Sequence, residues 1–319
     1  MAELPLLRRF PALAVLPRTS FGSFPTPVDR IPREDARTLL LKRDDLSGPV
    51  IGGNKVRGLE WLLGSVHSGD DVLTVGARGS THALTTAMLA SQLGARTTVV
   101  RWDQQMNPAA RVVDERLRAQ ARVIDARAVP VAFLMATLLR TRRRTLWVPA
   151  GGATPLAVLG HANAALELAE QIERDECALP EEVYVPLGTG GTAAGLALGF
   201  RIAGLGIRVV AVRVVPAIVA RRSRVLALAN RAAALIERTA DTRVARLSSR
   251  DVSVEHAYYG GAYGRPLPDL PLALERDLLA GTGVRLDDTY SRKAFAAALG
   301  SRARCAMLWL TFDGRLLQD

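Results

Sequence analysis

Short apolar runs rich in valine, isoleucine and leucine alternate with longer stretches in which alanine and leucine recur at helical spacing. Asp71-Val-Leu-Thr-Val-Gly76 reads as a buried strand, followed by a helix from Ala83 to Leu93 and a second strand from Ala95 to Arg101. That is one strand–helix–strand unit. The rhythm continues with a helix over Val112 to Gln120, a strand over Arg122 to Asp125, a helix over Val131 to Arg140 and a strand over Thr145 to Pro149. Pro155 to Ile172 reads as a helix, Glu182 to Leu187 as a strand, Ala193 to Ile202 as a helix and Ile207 to Val215 as a strand. Beyond them the spacing predicts helices over Arg222 to Arg238, Leu270 to Leu279 and Arg292 to Leu299, with strands over Val252 to His256 and Ala306 to Leu310. Alternation of this kind predicts an α/β protein whose sheets are mainly parallel. There is no internal repeat and no long polar linker, so two closely packed lobes are expected, with a discontinuous boundary near residues 60 and 160.

Composition narrows the class. A chain of 319 residues with 49% hydrophobic content can bury more than one core. Two cysteines, Cys177 and Cys305, and four histidines indicate neither a disulfide framework nor a cysteine-rich metal site, so no metal is expected. The opening lacks the order of a secretory signal, and no apolar run is long enough to span a bilayer. A reducing, cytoplasmic setting fits these features. The formal charge of +11 suggests nucleic acid, with Arg140 to Arg144 and Arg221 to Arg224 as the densest clusters. Aromatics make up only 5% of the chain and do not interleave with either cluster, which leaves scattered solvated arginines as the expected explanation.

Candidate chemistry begins with the rarity of lysine. The chain has three, Lys42, Lys55 and Lys293, and Lys55 ends a Gly52-Gly53-Asn54-Lys55 turn that opens a helical segment. A lysine amine can be deprotonated by burial and attack an aldehyde, which a guanidinium cannot. A loop carrying a solvated lysine satisfies the same four residues. Gly188-Thr189-Gly190-Gly191-Thr192 lies between a strand and a helix start, where free N–H groups and the helix dipole attract an anion. It has neither a Walker ending nor the Gly-x-Gly-x-x-Gly spacing, and its two threonines suit a phosphate monoester. Gly79-Ser80-Thr81-His82 follows another strand, and Ser80 and Thr81 serve equally as anion donors or as plain helix caps. Tyr263 and Tyr290 sit in turn-like contexts, where a phenol relays protons or simply packs.

Taken in order, these segments resemble the pyridoxal-phosphate enzymes of the tryptophan-synthase-β fold type, and within them the 1-aminocyclopropane-1-carboxylate deaminase and D-cysteine desulfhydrase family. The similarity spans nearly the whole chain, through Phe24-Pro-Thr-Pro27, Lys42-Arg-Asp-Asp-Leu46, Gly52 to Lys55, Leu59-Glu60, Gly151-Gly152, Ala165-Leu-Glu-Leu168, Gly188 to Thr192 and Leu286 to Ala294. The resemblance implies a two-lobed fold type II enzyme with a parallel-rich sheet in each lobe. Residues 1–60 with 160–319 would form the large cofactor-binding domain and residues 61–159 the small one. It implies pyridoxal 5'-phosphate as cofactor, a small amino acid as substrate, no nucleic-acid or membrane partner, and a homodimer.

By the same resemblance Lys55 forms the Schiff base and moves the substrate's α-proton. Ser80 meets the substrate carboxylate, while Tyr263 and Tyr290 border the substrate. Asn54, Thr81, Gly188, Thr189, Gly190, Gly191, Thr192 and Ser291 line the cofactor. Ser291 stands where the deaminases have glutamate and the desulfhydrases a hydroxyl residue. A hydroxyl cannot strongly stabilise a protonated pyridinium, which favours β-elimination of a good leaving group, giving pyruvate, ammonia and hydrogen sulfide, over cyclopropane ring opening. Three departures point instead towards an altered pocket or a non-catalytic cofactor-binding homologue. Thr81 replaces the family's asparagine, Gly76-Ala77-Arg78-Gly79 brings an arginine towards the carboxylate site, and Thr311-Phe-Asp-Gly314 alters the closing loop.

Overall fold

The computed structural model describes residues 3–31, 33, 36–141, 145–267 and 278–317. After helix α1 (Pro5–Arg9) come strands β1 (Val28–Ile31) and β2 (Thr38–Arg43), then α2 (Lys55–Leu62). The next stretch holds β3 (Asp71–Ala77), α3 (Thr81–Gln92), β4 (Arg96–Trp102), α4 (Pro108–Gln120), β5 (Arg122–Ala126), α5 (Val129–Leu139) and β6 (Thr145–Val148). There follow α6 (Pro155–Glu173), β7 (Glu182–Leu187), α7 (Gly191–Ala203), β8 (Arg208–Arg213), α8 (Arg222–Ala240), β9 (Val252–Glu255), α9 (Ser291–Leu299) and β10 (Cys305–Leu310). Residues 270–277 of the helix expected over Leu270 to Leu279, and Arg142 to Arg144 of the basic cluster, lie outside the described residues.

Two sheets result. The larger runs β1-β2-β10-β7-β8-β9, parallel except for the antiparallel β1–β2 edge. The smaller, β5-β4-β3-β6, is wholly parallel. Helices cover both faces of each, which is why central strands such as β3 and β10 are buried at nearly every position instead of alternating. One core packs α6, α7 and α8 on the large sheet, and another packs the opposite face against α9. The small sheet is covered by α3 and α4 on one side and by α5 on the other. Ile51, Val56 and Leu59 from before residue 61, with Phe312 and Leu316 from the far end of the chain, join the first of these two layers.

Helix starts fall earlier than apolar periodicity alone predicts, because caps and prolines define them. Ser80 accepts a hydrogen bond from Ala83 N–H and begins α3 at Thr81, and Asn107 with Pro108 begins α4 four residues ahead of Val112. Strands β1 and β2 were missed in the sequence for a different reason. Lys42 and Arg43 read as a charged break, yet β2 is buried through both of them. Lys42 is neutralised by Glu167, 125 residues away, and Arg43 by Asp29 and its near neighbour Asp45.

That neutralisation is the most densely connected polar feature of the interior. Lys42 Nζ donates to Glu167 Oε1 at 2.7 Å, to Gln171 and to the Thr26 carbonyl. Arg57 grips Asp44 with two bonds, at 2.9 and 2.7 Å, and reaches Glu167 Oε2 at 2.8 Å. The Trp309 indole N–H completes Asp44 at 2.8 Å. Arg57 lies two residues after Lys55 on α2, so the cluster anchors the helix that carries that lysine. Close approach of α2 to α6 requires Gly160, where a Cβ would stand 1.9 Å from the Arg57 carbonyl oxygen.

Among the described residues no helix is long and apolar enough to cross a membrane, and no group of histidine, cysteine or acidic side chains is placed to hold a metal ion.

Candidate active site

A cavity of about 1100 Å³ opens between the two sheets at the carboxyl ends of their strands. The ends of β3 and β4 and the turns after β6, β7, β8 and β10 all contribute. Crevices of this kind are the usual ligand sites of open α/β sheets. Asn54, Lys55, Ser80, Thr81, Gly188 to Thr192, Tyr263 and Tyr290 all line it. Residues separated by more than two hundred positions therefore meet in one place.

Lys55 is the first residue of α2. The turn before it is held from several directions. Gly53 N–H donates to the Asp44 carbonyl at 2.7 Å, Ser47 donates to the Gly53 carbonyl at 2.9 Å, and Gly52 N–H donates to Asp313 at 2.7 Å. Gly53 has φ +98°, a left-handed conformation that a side chain would strain. Among the described residues no carboxylate pairs with the Lys55 amine. Burial lowers its pKa to about 8, and the positive end of α2 acts in the same sense. A neutral amine is consequently far more accessible than for a solvated lysine. Capture of an aromatic aldehyde by the apoprotein is expected to quicken about tenfold per pH unit below about 8 and level off above it. Stopped-flow absorbance on mixing with pyridoxal phosphate reads this directly; a rate still climbing steeply at pH 10 would contradict it.

The glycine-rich turn after β7 places Gly190 in the left-handed region, φ +92°, as the cap of α7. Ala194 N–H donates to the Gly190 carbonyl, so the amides ahead of it open the helix without intrahelical acceptors. Asn54 Nδ2 donates to Thr192 Oγ1 at 2.6 Å, tying this glycine-rich turn to the lysine turn. Ser80 caps α3, its Oγ accepting from Ala83 N–H at 3.3 Å, and so faces the cavity at a second helix start.

Tyr263 and Tyr290 share a hydrogen bond between their hydroxyls, with rings edge to face at 6.0 Å and 72°. Burial raises Tyr290 to about 12 and Tyr263 well above the ordinary phenol range, so both stay protonated near neutrality. The Thr81 side chain interacts with the Tyr290 phenol and works against that rise. The threonine that replaces the family's asparagine thus touches a site tyrosine.

Ser291 does not line the cavity. It is buried next to Tyr290 at the start of α9, and its side chain interacts with the Asp287 carboxylate. Arg78 also differs from expectation, because its guanidinium pairs with Asp103 at 2.9 Å and does not line the cavity. His82 does line it, with Nε2 at 3.3 Å from Thr74 Oγ1, and burial lowers its pKa to about 3. It is a neutral packed histidine at physiological pH.

Several residues that build the site escaped the sequence reading. Asp287 accepts the N–H groups of Thr289, Tyr290 and Ser291, each at 2.9 Å, and so sets the start of α9 and the aim of Tyr290. Asn107 bridges the Gly264 carbonyl at 2.8 Å and Thr289 Oγ1 at 2.9 Å, joining α4 to both tyrosine segments. Lys293 Nζ donates to the Tyr259 carbonyl at 2.7 Å and holds the turn that carries Tyr263. Asp287 and Asn107 carried a local signal, that of a capping residue ahead of a helix, and Lys293 carried none.

A family model described as "Pyridoxal-phosphate dependent enzyme" matches residues 19–307. Nocardicin C-9' epimerase of Nocardia uniformis subsp. tsuyamanensis is 35% identical over 304 residues, covering 90% of this chain and 89% of that protein. D-cysteine desulfhydrase of Salmonella typhimurium strain LT2 is 29% identical over 302 residues, covering 90% and 89%. Among solved structures, the crystal structure of an ACC deaminase homologue superimposes with TM-score 0.80 at 28% identity, covering 99% of both chains.

Proposed function

The chain belongs to the pyridoxal-phosphate dependent enzymes of fold type II, and we propose that it removes the α-proton of a small amino acid and expels the substituent on the β-carbon. A D-cysteine-like substrate and water would give pyruvate, ammonia and hydrogen sulfide. The observation that carries this reading is a lysine amine with no ion-pair partner, facing one cavity together with Ser80 and two protonated phenols.

The side chains present fit the cofactor. The open amides and the threonine hydroxyls of Gly188 to Thr192 would hold its phosphate, supported by Asn54 through Thr192. Lys55 would hold its aldehyde carbon, and the buried Ser291 hydroxyl, next to Tyr290 at the start of α9, would have to turn towards the cavity to meet its ring nitrogen. When bound, the cofactor supplies the electron sink for the charge left by proton loss. Ser80 and the start of α3 bind the substrate carboxylate and orient the α-carbon. Lys55, with its amine free, would take the α-proton. Tyr290 keeps its proton at neutral pH and is available to donate it at the leaving group, with Tyr263 fixing the direction of its hydroxyl. The Ser291 hydroxyl, neutral where a carboxylate would stabilise a pyridinium, favours loss of a good leaving group over ring opening. A homodimer, as the resemblance implies, is part of this reading.

One other reading has a specific observation behind it. The relative at 35% identity is named an epimerase, and return of a proton from Tyr290 to the α-carbon would invert that centre without breaking a second bond. A panel of D- and L-amino acids, including 1-aminocyclopropane-1-carboxylate, separates the readings. Release of a 2-oxo acid with sulfide from cysteine supports β-elimination, and 2-oxobutyrate supports ring opening. Deuterium entering the α-position with inversion and no 2-oxo acid supports epimerisation. Cofactor binding with neither product nor exchange would leave a non-catalytic homologue.

A further inference from the structure

The cavity has an apolar wall that neither the cofactor residues nor the proton-handling residues use. Trp102 closes β4 in register with Ala77, the last residue of β3, and its carbonyl accepts Arg78 N–H at 2.9 Å. Ser80 N–H in turn donates to the Ala77 carbonyl at 3.1 Å, so Trp102 flanks the turn that presents Ser80. Phe133 from α5 stacks on Trp102, centroids 6.0 Å apart and planes at 25°. Val129, one turn earlier on the same helix face, lines the same cavity. Phe133 and Val129 are nevertheless 41% and 44% exposed. A stacked aromatic pair and a valine left open inside a crevice gain contact area when a ligand covers them.

Resting on the β-elimination reading, we infer that the natural substrate is a cysteine whose sulfur carries a bulky aromatic or aliphatic group, with that group packed on Trp102, Phe133 and Val129. The carbon–sulfur bond breaks, and sulfur departs with its electron pair and takes a proton to become the free thiol. Water then displaces nitrogen, so that S-substituted cysteine and water give thiol, pyruvate and ammonia in balance, with no oxidant or reductant. Sulfur suits the weak electron sink expected beside Ser291, because a thiolate leaves far more readily than an alkoxide.

The test uses the cofactor-loaded enzyme with the D- and L-forms of cysteine, S-phenylcysteine and S-benzylcysteine, following pyruvate. The expected result is a kcat/KM at least about tenfold higher for a conjugate than for cysteine, the gain from burying one aromatic ring. Phe133→Ala and, separately, Trp102→Ala should shrink that ratio about tenfold, mainly through KM for the conjugate. If cysteine is turned over and both conjugates are equal or worse, this inference fails while β-elimination stands. Absence of pyruvate from all three, with the cofactor bound, overturns β-elimination itself and this inference with it. A ratio unmoved in both variants removes the wall from substrate recognition.

Discussion

Lys55→Ala is expected to lower turnover by about 10⁴-fold or more, because in the proposed function one amine would both hold the cofactor and move the proton. The cofactor's visible absorbance band should be lost with it. Lys55→Arg should not rescue either property, since a guanidinium stays protonated and cannot bond an aldehyde. Neither remaining lysine can substitute. Lys42 is fully buried and spends its donors on Glu167, Gln171 and the Thr26 carbonyl, while Lys293 is fully buried with its amine on the Tyr259 carbonyl. Circular dichroism should show the variant folded, which separates loss of chemistry from loss of structure. A Lys55→Ala protein that keeps the absorbance band would remove this residue from the assignment.

Arg57→Ala should be the most destabilising single change in the ion cluster, by about 3–5 kcal/mol, because it leaves two buried carboxylates without their principal cation. Asp44 is 0% and Glu167 3% exposed at the side chain. Urea unfolding should register the loss as a lower midpoint, and the melting temperature should fall by about 10 °C. Arg96→Ala is the control. Its pair with Asp71 lies at the surface, both side chains well exposed and screened by solvent, and its loss should leave the urea midpoint nearly unchanged. Equal losses in the two variants would mean that the buried cluster carries no special weight.

Acid should reveal the same cluster. Although burial by itself would raise the Glu167 carboxyl, Arg57 and Lys42 together lower it from 4.5 to about 2. A carboxylate with a depressed folded-state pKa contributes stability that is complete above its unfolded value and fades as pH falls through the folded one. Stability should therefore decline between about pH 4.5 and 2. Arg57→Ala should flatten that decline.

The alternation of strands and helices from Asp71 to Ala240 was legible because each element buries its own apolar stripe and because glycine, proline and capping residues punctuate the joins. Strand β2 was not, since Lys42 looks out of place in a buried strand until Glu167, 125 residues away, is seen beside it. Motifs quoted for their resemblance turn out to include structural parts. Glu60 accepts Arg18 and the N–H groups of Phe21 and Gly22, and Glu167 serves the ion cluster. Local pattern does not separate a buried ion partner from a site residue, because both are polar residues in apolar company.

For the candidate site, the sequence by itself determined which chemistry is available: a lysine scarce enough to stand out, a glycine–threonine turn at a helix start, a serine cap and two tyrosines. These are local facts, read from residue type and immediate neighbours. Only the tertiary structure decided that they share one cavity, that burial lowers Lys55 to about 8 and that Arg78 is paired with Asp103. It also decided that Trp102 and Phe133 stand open along the same wall. Burial, electric field and the direction of a side chain depend on atoms far apart along the chain, and they exist only once the two sheets bring those atoms together.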